Sequence, residues 1–178
     1  MTVVLTERLV LTPVTVADAD DLVVLHGDAN VAHWYAGAWT SAQAHRWADD
    51  MAGRWAREGV GKWMARLRAD GTLVGRGGLT RMRLEQEEVL ELGWTLRDAA
   101  RGRGYATEIG RAGLRFATDQ LGAERVVAFT EVHNRDSRAV MERLGMSLSR
   151  VVFRPGLLEG RTGVHEDAPF ALHTYDTV

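Results

Sequence analysis

The sequence predicts one mixed α/β domain, with a mostly antiparallel central sheet of about seven strands and four helices. Three observations carry this prediction. Apolar and polar residues alternate through three successive segments, 60–69, 72–83 and 87–97, as in an antiparallel meander. Apolar residues at helical spacing follow a capping box that begins at Thr40. A loop rich in glycine and arginine then joins the third meander strand to a second long helix.

The elements before the meander each have a local signal. Residues 3–12 alternate as an opening strand, and residues 16–26 form a short helix. Residues 27–39 are interpreted as an irregular, aromatic segment. The capping box at Thr40 opens a helix that ends near residue 58.

The elements after the loop are bounded by glycine and asparagine. A helix over 104–121 stops at Gly122, and residues 126–129 form a buried strand. Asn134 caps a further helix that runs through Leu144. Two strands close the chain, over residues 146–154 and 165–175.

The composition excludes several functions. The chain has 178 residues, of which 46% are hydrophobic, as expected of one globular domain spanning residues 1–178. It has no cysteine, which rules out disulfides and thiolate chemistry, and its histidines lack metal-ligand spacing, so we expect no metal. A net charge of −2 argues against nucleic-acid binding. No apolar run or leader pattern is evident, which predicts a cytoplasmic protein without membrane contact. The sequence is compatible with both a monomer and a homodimer.

The loop between the meander and the second long helix is the most informative segment. It contains Arg101, Gly102, Arg103 and Gly104 directly before the predicted helix start. A helix N-terminus presents unpaired N–H groups and the positive end of its dipole. Glycine allows close approach of an anion, and arginine adds forked donors. The segment therefore predicts a pyrophosphate site.

The glycine spacing disfavours two nucleotide-binding alternatives. A dinucleotide fingerprint would need glycine where Thr107 stands, and no Gly-Lys-Ser/Thr of a P-loop follows. The pattern Arg101-x-x-Gly104-x-Ala106 instead resembles the R/Q-x-x-G-x-G/A loop of GNAT-type N-acetyltransferases. In that family the loop holds the pyrophosphate of coenzyme A.

The resemblance extends along almost the whole chain. Residues 6–11 (Thr-Glu-Arg-Leu-Val-Leu) look like the opening strand of the ribosomal-protein N-acetyltransferase branch. Residues 73–79 resemble its third strand, and residues 133–146 its N-x-x-S helix start with the strand that follows. The resemblance implies the GNAT fold and acetyl-CoA as co-substrate.

The resemblance also implies where acetyl-CoA binds. In the GNAT fold the third meander strand splays from the next strand, and its free backbone groups bind the pantetheine arm. Asparagine of the N-x-x-S motif bonds the same arm. The implied cofactor-binding residues are Trp94, Leu96, Arg101, Gly102, Arg103, Gly104, Tyr105, Ala106 and Asn134.

Two residues are candidates for catalysis of amine acetylation. Glu91, on the strand that enters the loop, is the candidate base, with a solvated residue or an ion pair as the alternative. Ser137 is the candidate acid for the departing thiolate, with a capping pair with Asn134 as the alternative. Tyr105 and Tyr175 are rival acids.

Three aromatic residues, Trp34, Tyr35 and Trp39, are expected to line the acceptor site, with a lid over the core as the alternative. The predicted function is transfer of acetyl from acetyl-CoA to a primary amine on a protein N-terminus or a small molecule. The alternative is a catalytically inactive CoA-binding domain that acts as a sensor or interaction module.

Overall fold

A computed structural model of the chain, which describes residues 2–177, contains one eight-stranded sheet and five α-helices. The strands are β1 (Val4–Leu5), β2 (Leu9–Pro13), β3 (Lys62–Leu67), β4 (Leu73–Leu84), β5 (Glu87–Leu96), β6 (Arg125–Glu131), β7 (Ser147–Gly156) and β8 (His165–Asp176). The helices are α1 (Ala19–Gly27), α2 (Ala29–Trp34), α3 (Ser41–Glu58), α4 (Tyr105–Leu121) and α5 (Arg135–Arg143). None of these helices is long and apolar enough to cross a membrane.

The strand order is β1-β2-β3-β4-β5-β6-β8-β7, and every neighbouring pair is antiparallel except β5 with β6. Strand β5 pairs along its whole length with residues 75–84 of β4. The parallel pairing of β5 with β6 comprises only Leu90 with Val126 and Glu91 with Val127. Beyond Glu91 the two strands diverge, which opens the sheet at its centre.

Two apolar clusters cover opposite faces of the sheet. Trp63 and Ala65 of β3 belong to the larger cluster, which packs against α4. Met64, between them, belongs to a smaller cluster with α1 and α3. Successive strand residues point to opposite faces, so the two clusters sandwich the sheet.

The structure confirms the predicted mixed α/β fold and several of its local signals. The Thr40 hydroxyl accepts from the Gln43 backbone N–H at 3.3 Å, and the Thr40 backbone N–H donates to the Gln43 side chain at 2.8 Å. Gly122 ends α4 in the left-handed conformation, at φ +59°. Asn134 caps α5 through its side chain.

Two segments differ from the prediction and raise the counts from about seven strands and four helices to eight and five. Residues 29–34, expected to be irregular, form α2, because no glycine or proline interrupts them before Gly37. The single predicted strand over 3–12 is a hairpin of β1 and β2. It turns at Thr6, whose backbone N–H donates to the Leu9 carbonyl at 2.9 Å.

Gly77 lets α4 pack closely on the sheet, and its replacement tests this contact. A Cβ at Gly77 would lie 2.6 Å from Ile109 Cγ2 and 2.9 Å from the Gly93 carbonyl oxygen. We expect Gly77→Ala to lower the free energy of unfolding by about 1–3 kcal/mol through overpacking. Denaturant unfolding measures this, with Gly27→Ala as control because that site has no atom within 4 Å. Equal stability of the two variants would contradict the packing.

Candidate active site

One cavity of about 1150 Å³ opens where β5 and β6 diverge. It is lined by residues of α2, β5, the loop before α4, α5 and β6. The cavity reaches both faces of the sheet, because residues on both sides of β5 border it. Two reactants can therefore approach each other from opposite faces.

The predicted pyrophosphate loop has the conformation of an anion site. Gly102 and Gly104 adopt left-handed φ values of +70° and +81°, which glycine tolerates best. Gly104 precedes α4, and no side chain caps the first N–H groups of that helix. These groups keep their capacity to bind an anion at the mouth of the cavity. Tyr105 and Ala106, the next two residues, also line the cavity.

Arg8 braces this loop from outside the cavity. Its Nη1 donates to the Arg103 carbonyl at 2.9 Å, and its guanidinium lies 4.5 Å from the Tyr105 ring centre. Its Nε donates to Glu108 at 2.8 Å. Burial alone would raise the pKa of Glu108, but hydrogen bonds from Thr6 and Arg8 hold that pKa below its usual value. The opening hairpin therefore fixes the start of α4.

The two loop arginines differ in their surroundings. Arg101 lines the cavity and forms an ion pair with Asp136, whose side chain is largely exposed. An exposed pair of this kind contributes little and leaves Arg101 able to turn to a phosphate. Arg103 is exposed and does not line the cavity. Its backbone carbonyl accepts the hydrogen bond from Arg8.

The end of β5 borders the opening of the sheet. Trp94 and Leu96 line the cavity and pack against the large core cluster. The Thr95 hydroxyl, on the opposite face, lies 2.9 Å from the Tyr35 hydroxyl. Because β6 does not pair with these residues, backbone groups on that side of β5 remain for a ligand.

Asn134 and Ser137 both line the cavity at the start of α5. Asn134 Oδ1 accepts from the Ser137 backbone N–H at 3.2 Å, so the capping pair expected as an alternative is present. The cap uses the backbone of Ser137 and leaves its hydroxyl without a hydrogen bond to another described residue. The proposed acid role of Ser137 stays a prediction.

Glu91 lines the cavity and is held by two partners. Its Oε2 accepts from Lys62 Nζ at 2.7 Å and from the Thr80 hydroxyl at 2.8 Å. Lys62 is buried and also donates to the Gly78 carbonyl at 2.8 Å. Burial lowers the pKa of Lys62, and Glu91 opposes that shift. A proton on Glu91 would weaken this pair, so the role of Glu91 as base stays a prediction.

A buried arginine organises the aromatic segment. Arg76 Nη2 donates to the Tyr35 hydroxyl at 2.8 Å, and its guanidinium lies 4.4 Å from the Trp47 ring centre. Its Nε donates to His26 Nε2 at 3.3 Å. Trp39 stacks on His26 with ring centres 3.4 Å apart. Of the three predicted acceptor residues, Trp34 and Tyr35 therefore line the cavity, and Trp39 packs behind them.

A second arginine holds α2 against the end of β5. Arg97 donates to both carboxylate oxygens of Asp28 at 3.1 Å, and the Asp98 backbone N–H donates to the same carboxylate at 2.9 Å. The hydrogen bond from Arg97 holds the pKa of Asp28 below its usual value. This connection fixes the wall that carries Trp34 and Tyr35.

Sequence reasoning missed five charged residues that line the cavity: Lys62, Arg76, Glu131, Asp136 and Arg143. Lys62 had a signal, because it is the only lysine in the chain. Within residues 2–177, no cluster of three His, Asp or Glu side chains is arranged to hold a metal ion.

Comparison with known proteins identifies the family. The model of the acetyltransferase (GNAT) domain family matches residues 8–147, and the chain belongs to this family, which uses acetyl-CoA. The structure is similar to an acetyltransferase from Agrobacterium tumefaciens, with TM-score 0.76 and 26% identity, covering 99% of this chain and 95% of that one.

Two further solved structures share the fold at lower identity. A ribosomal-protein alanine acetyltransferase from Vibrio fischeri has TM-score 0.79 and 11% identity, covering 99% of this chain and 97% of that one. An aminoglycoside acetyltransferase in complex with coenzyme A has TM-score 0.75 and 17% identity, covering 95% of each chain.

Because His26 is buried against Arg76 and Trp39, the free energy of unfolding at acid pH tests this packing. Burial, followed by the charge of Arg76, lowers the pKa of His26 from 6.5 to about 3. The unfolded chain gains a proton at this residue as pH falls below 6.5, whereas the folded chain does not until about 3. Folding free energy is therefore lost across that window, by about 1.4 kcal/mol per pH unit at most.

We expect His26→Gln to remove this slope, because glutamine does not titrate. Urea unfolding of both proteins across the window measures it. His33→Gln, at an exposed position, is the control and should keep the wild-type slope. Identical slopes in all three proteins would contradict the burial of a neutral His26.

Proposed function

We propose that this protein is an acetyl-CoA-dependent N-acetyltransferase that acts on a primary amine of a protein N-terminus or a small molecule. The divergence of β5 and β6 is the observation that carries the proposal. The cavity at this divergence contains the glycine–arginine loop on one side and a polar, aromatic pocket on the other. Transfer of an acyl group needs this meeting of an activated donor and a nucleophile.

The cofactor side of the cavity fits acetyl-CoA. Two left-handed glycines, the free N–H groups of α4 and Arg101 converge where a pyrophosphate would bind. In this proposal Arg103 adds positive charge at the rim. The backbone of Trp94 and Leu96 and the side chain of Asn134 would hold the pantetheine arm along the divergent strands. Acetyl-CoA supplies an acetyl thioester, whose carbonyl is open to attack by an amine.

Ser137 is proposed as the group that returns a proton to the thiolate. It lines the cavity at the first turn of α5, and its backbone N–H is fixed by Asn134. A hydroxyl at a helix N-terminus has its anionic form favoured by the dipole, which assists proton donation. Tyr105 is largely buried beneath Arg8, which favours a packing role for that rival.

The acceptor is proposed to approach on the opposite face, beside Trp34 and Tyr35. The Arg97–Asp28 connection holds their helix in place, and the Tyr35 hydroxyl is fixed between Arg76 and Thr95. A rigid aromatic wall can select an acceptor by shape.

Acetyl-CoA-dependent release of free thiol across a panel of primary amines tests the function. We expect turnover with at least one amine, and Gly104→Asp should raise the acetyl-CoA dissociation constant on the order of tenfold or more, because it adds a negative charge at the start of α4, beside the proposed phosphate site. The control is Gly160→Asp, an exposed glycine at φ +74° that shares the backbone strain. Tight acetyl-CoA binding without turnover of any amine would instead support a catalytically inactive CoA-binding domain.

Two tryptophan variants test the acceptor side. We expect Trp34→Ala to raise the acceptor KM and leave acetyl-CoA affinity unchanged, because Trp34 lines the cavity. Trp39→Ala should mainly lower the free energy of unfolding, by roughly 2 kcal/mol, because Trp39 stacks on His26 and packs against the small core cluster. Steady-state kinetics and denaturant unfolding distinguish the two effects. The reverse pattern would move the acceptor pocket toward Trp39.

A further inference from the structure

The acceptor face is the face of the sheet on which Trp34 and Tyr35 line the cavity. Three charged groups on this face already have close partners. Lys62 and Glu91 form an ion pair at 2.7 Å. Arg76 is bound by the Tyr35 hydroxyl and by His26. Binding a cationic amine at Glu91 would require competition with a buried lysine at hydrogen-bonding distance.

Glu131 is the exception. It is the last residue of β6, lines the cavity, and has 8% of its surface exposed. No lysine, arginine or histidine among residues 2–177 forms an ion pair with it. The hydrogen bonds that its carboxylate accepts, from the Thr130 hydroxyl and the Leu157 backbone N–H, are both 3.5 Å long. These lie at the outer limit for hydrogen bonds, so the carboxylate is buried almost without compensation.

The register of the sheet places Glu131 beside the opening. Paired residues of parallel strands share a face, so the pairing of Glu91 with Val127 puts both on the acceptor face. Glu131 follows Val127 by four residues and faces the same way, because strand side chains alternate with a period of two. It therefore stands level with Thr95, on the other side of the gap between β5 and β6.

Two aromatic rings and a glycine surround Glu131. Phe170, opposite Glu131 on β8, and Phe129 form an edge-to-face pair with ring centres 6.0 Å apart. A Cβ at Gly156 would lie 3.2 Å from Glu131 Oε1 and 2.5 Å from the Phe170 ring. The absent side chain at Gly156 thus leaves room for both groups. The Arg154 guanidinium lies 4.2 Å from the Phe129 ring centre, so the aromatic surface left for an ammonium group beside the carboxylate is that of Phe170.

We infer that Glu131 is the catalytic residue that binds the ammonium group of the acceptor and takes its proton. This inference rests on the proposed acetyltransferase function. The ammonium is the counter-ion that the buried carboxylate lacks, and the same contact places the carboxylate at the proton that must leave before attack. Glu91, by contrast, serves to neutralise Lys62.

The ammonium transfers one proton to Glu131 and becomes a neutral amine. Its nitrogen forms a bond to the acetyl carbonyl carbon, the carbon–sulfur bond breaks with its electron pair on sulfur, and a second proton from nitrogen ends on the thiolate. One ammonium and one thioester give one amide, one thiol and one proton, which Glu131 returns to solvent.

Glu131→Gln tests the inference on the full chain, with the amine that the wild-type protein turns over fastest. We expect kcat/KM for that amine to fall on the order of 10²-fold or more. The acetyl-CoA dissociation constant should stay within about twofold. The melting temperature should stay equal or rise, because a neutral amide replaces a buried charge without a cation. Glu159→Gln, an exposed glutamate nearby, is the matched control.

The outcomes separate three accounts. Loss of turnover with unchanged melting temperature and acetyl-CoA affinity supports the catalytic role of Glu131, and partial recovery in Glu131→Asp strengthens it. Near wild-type turnover in Glu131→Gln overturns the inference, and a large loss in Glu91→Gln alone would give the role to Glu91. Loss accompanied by a lower melting temperature or weaker acetyl-CoA binding also overturns it. A wild-type protein inactive with every amine overturns the proposed function itself.

Discussion

The short parallel pairing between β5 and β6 is the constraint on which the site depends. On its other side β5 follows β4 through ten residue pairs, so β5 itself is held rigidly. Only two residue pairs join it to β6 before the strands part. A fully paired sheet would satisfy the backbone and close the cavity, whereas this sheet leaves backbone groups unsatisfied at its centre. The opening therefore leaves backbone donors of β5 free and connects the two faces of the sheet.

Packing on both sides of the gap keeps β5 and β6 apart. On one face α4 packs on β4 and β5, and Arg8 ties the start of α4 to the opening hairpin. On the other side of the gap, β6 pairs with β8 from Arg125 to Glu131, and β8 pairs with β7. Each half of the sheet is thus held mainly by pairing within that half, and only two residue pairs join the halves. The buried charges at the floor of the gap are poor contributors to stability, because burying an ion pair costs about as much as it returns.

Local signals in the sequence predicted most of the fold. The capping box at Thr40, the stop at Gly122 and the alternation of the meander depend on neighbouring residues, and the structure confirms them. The glycine–arginine loop was also readable, because its chemistry is contained in a few consecutive residues. Helix α2 was missed because it is short and aromatic, and because its anchor at Arg97 lies far away in the chain.

The charge pattern of the pocket could not be predicted in the same way. Lys62 meets Glu91 across 29 positions of sequence, and their contact is fixed only by strand order and register. The stacking of Trp39 on His26 depends on where α1 packs, and no local sequence pattern predicts that position. Glu131 ends β6, and its burial follows from its contacts with Phe170 of β8 and with Gly156 and Leu157 at the end of β7. Sequence motifs predicted the loop proposed to bind the cofactor, whereas the residues of the proposed acceptor side became apparent only in the three-dimensional arrangement.

Hydrogen exchange resolved at individual amides, with and without acetyl-CoA, tests the central claim most directly. If the divergent part of β5 holds the pantetheine arm, amides in residues 92–96 and at the start of α4 should exchange more slowly on binding. Amides of the β2–β3 pair, away from the gap, should not change. Binding of acetyl-CoA that leaves exchange in residues 92–96 unaltered would contradict the account and place the ligand outside the opening.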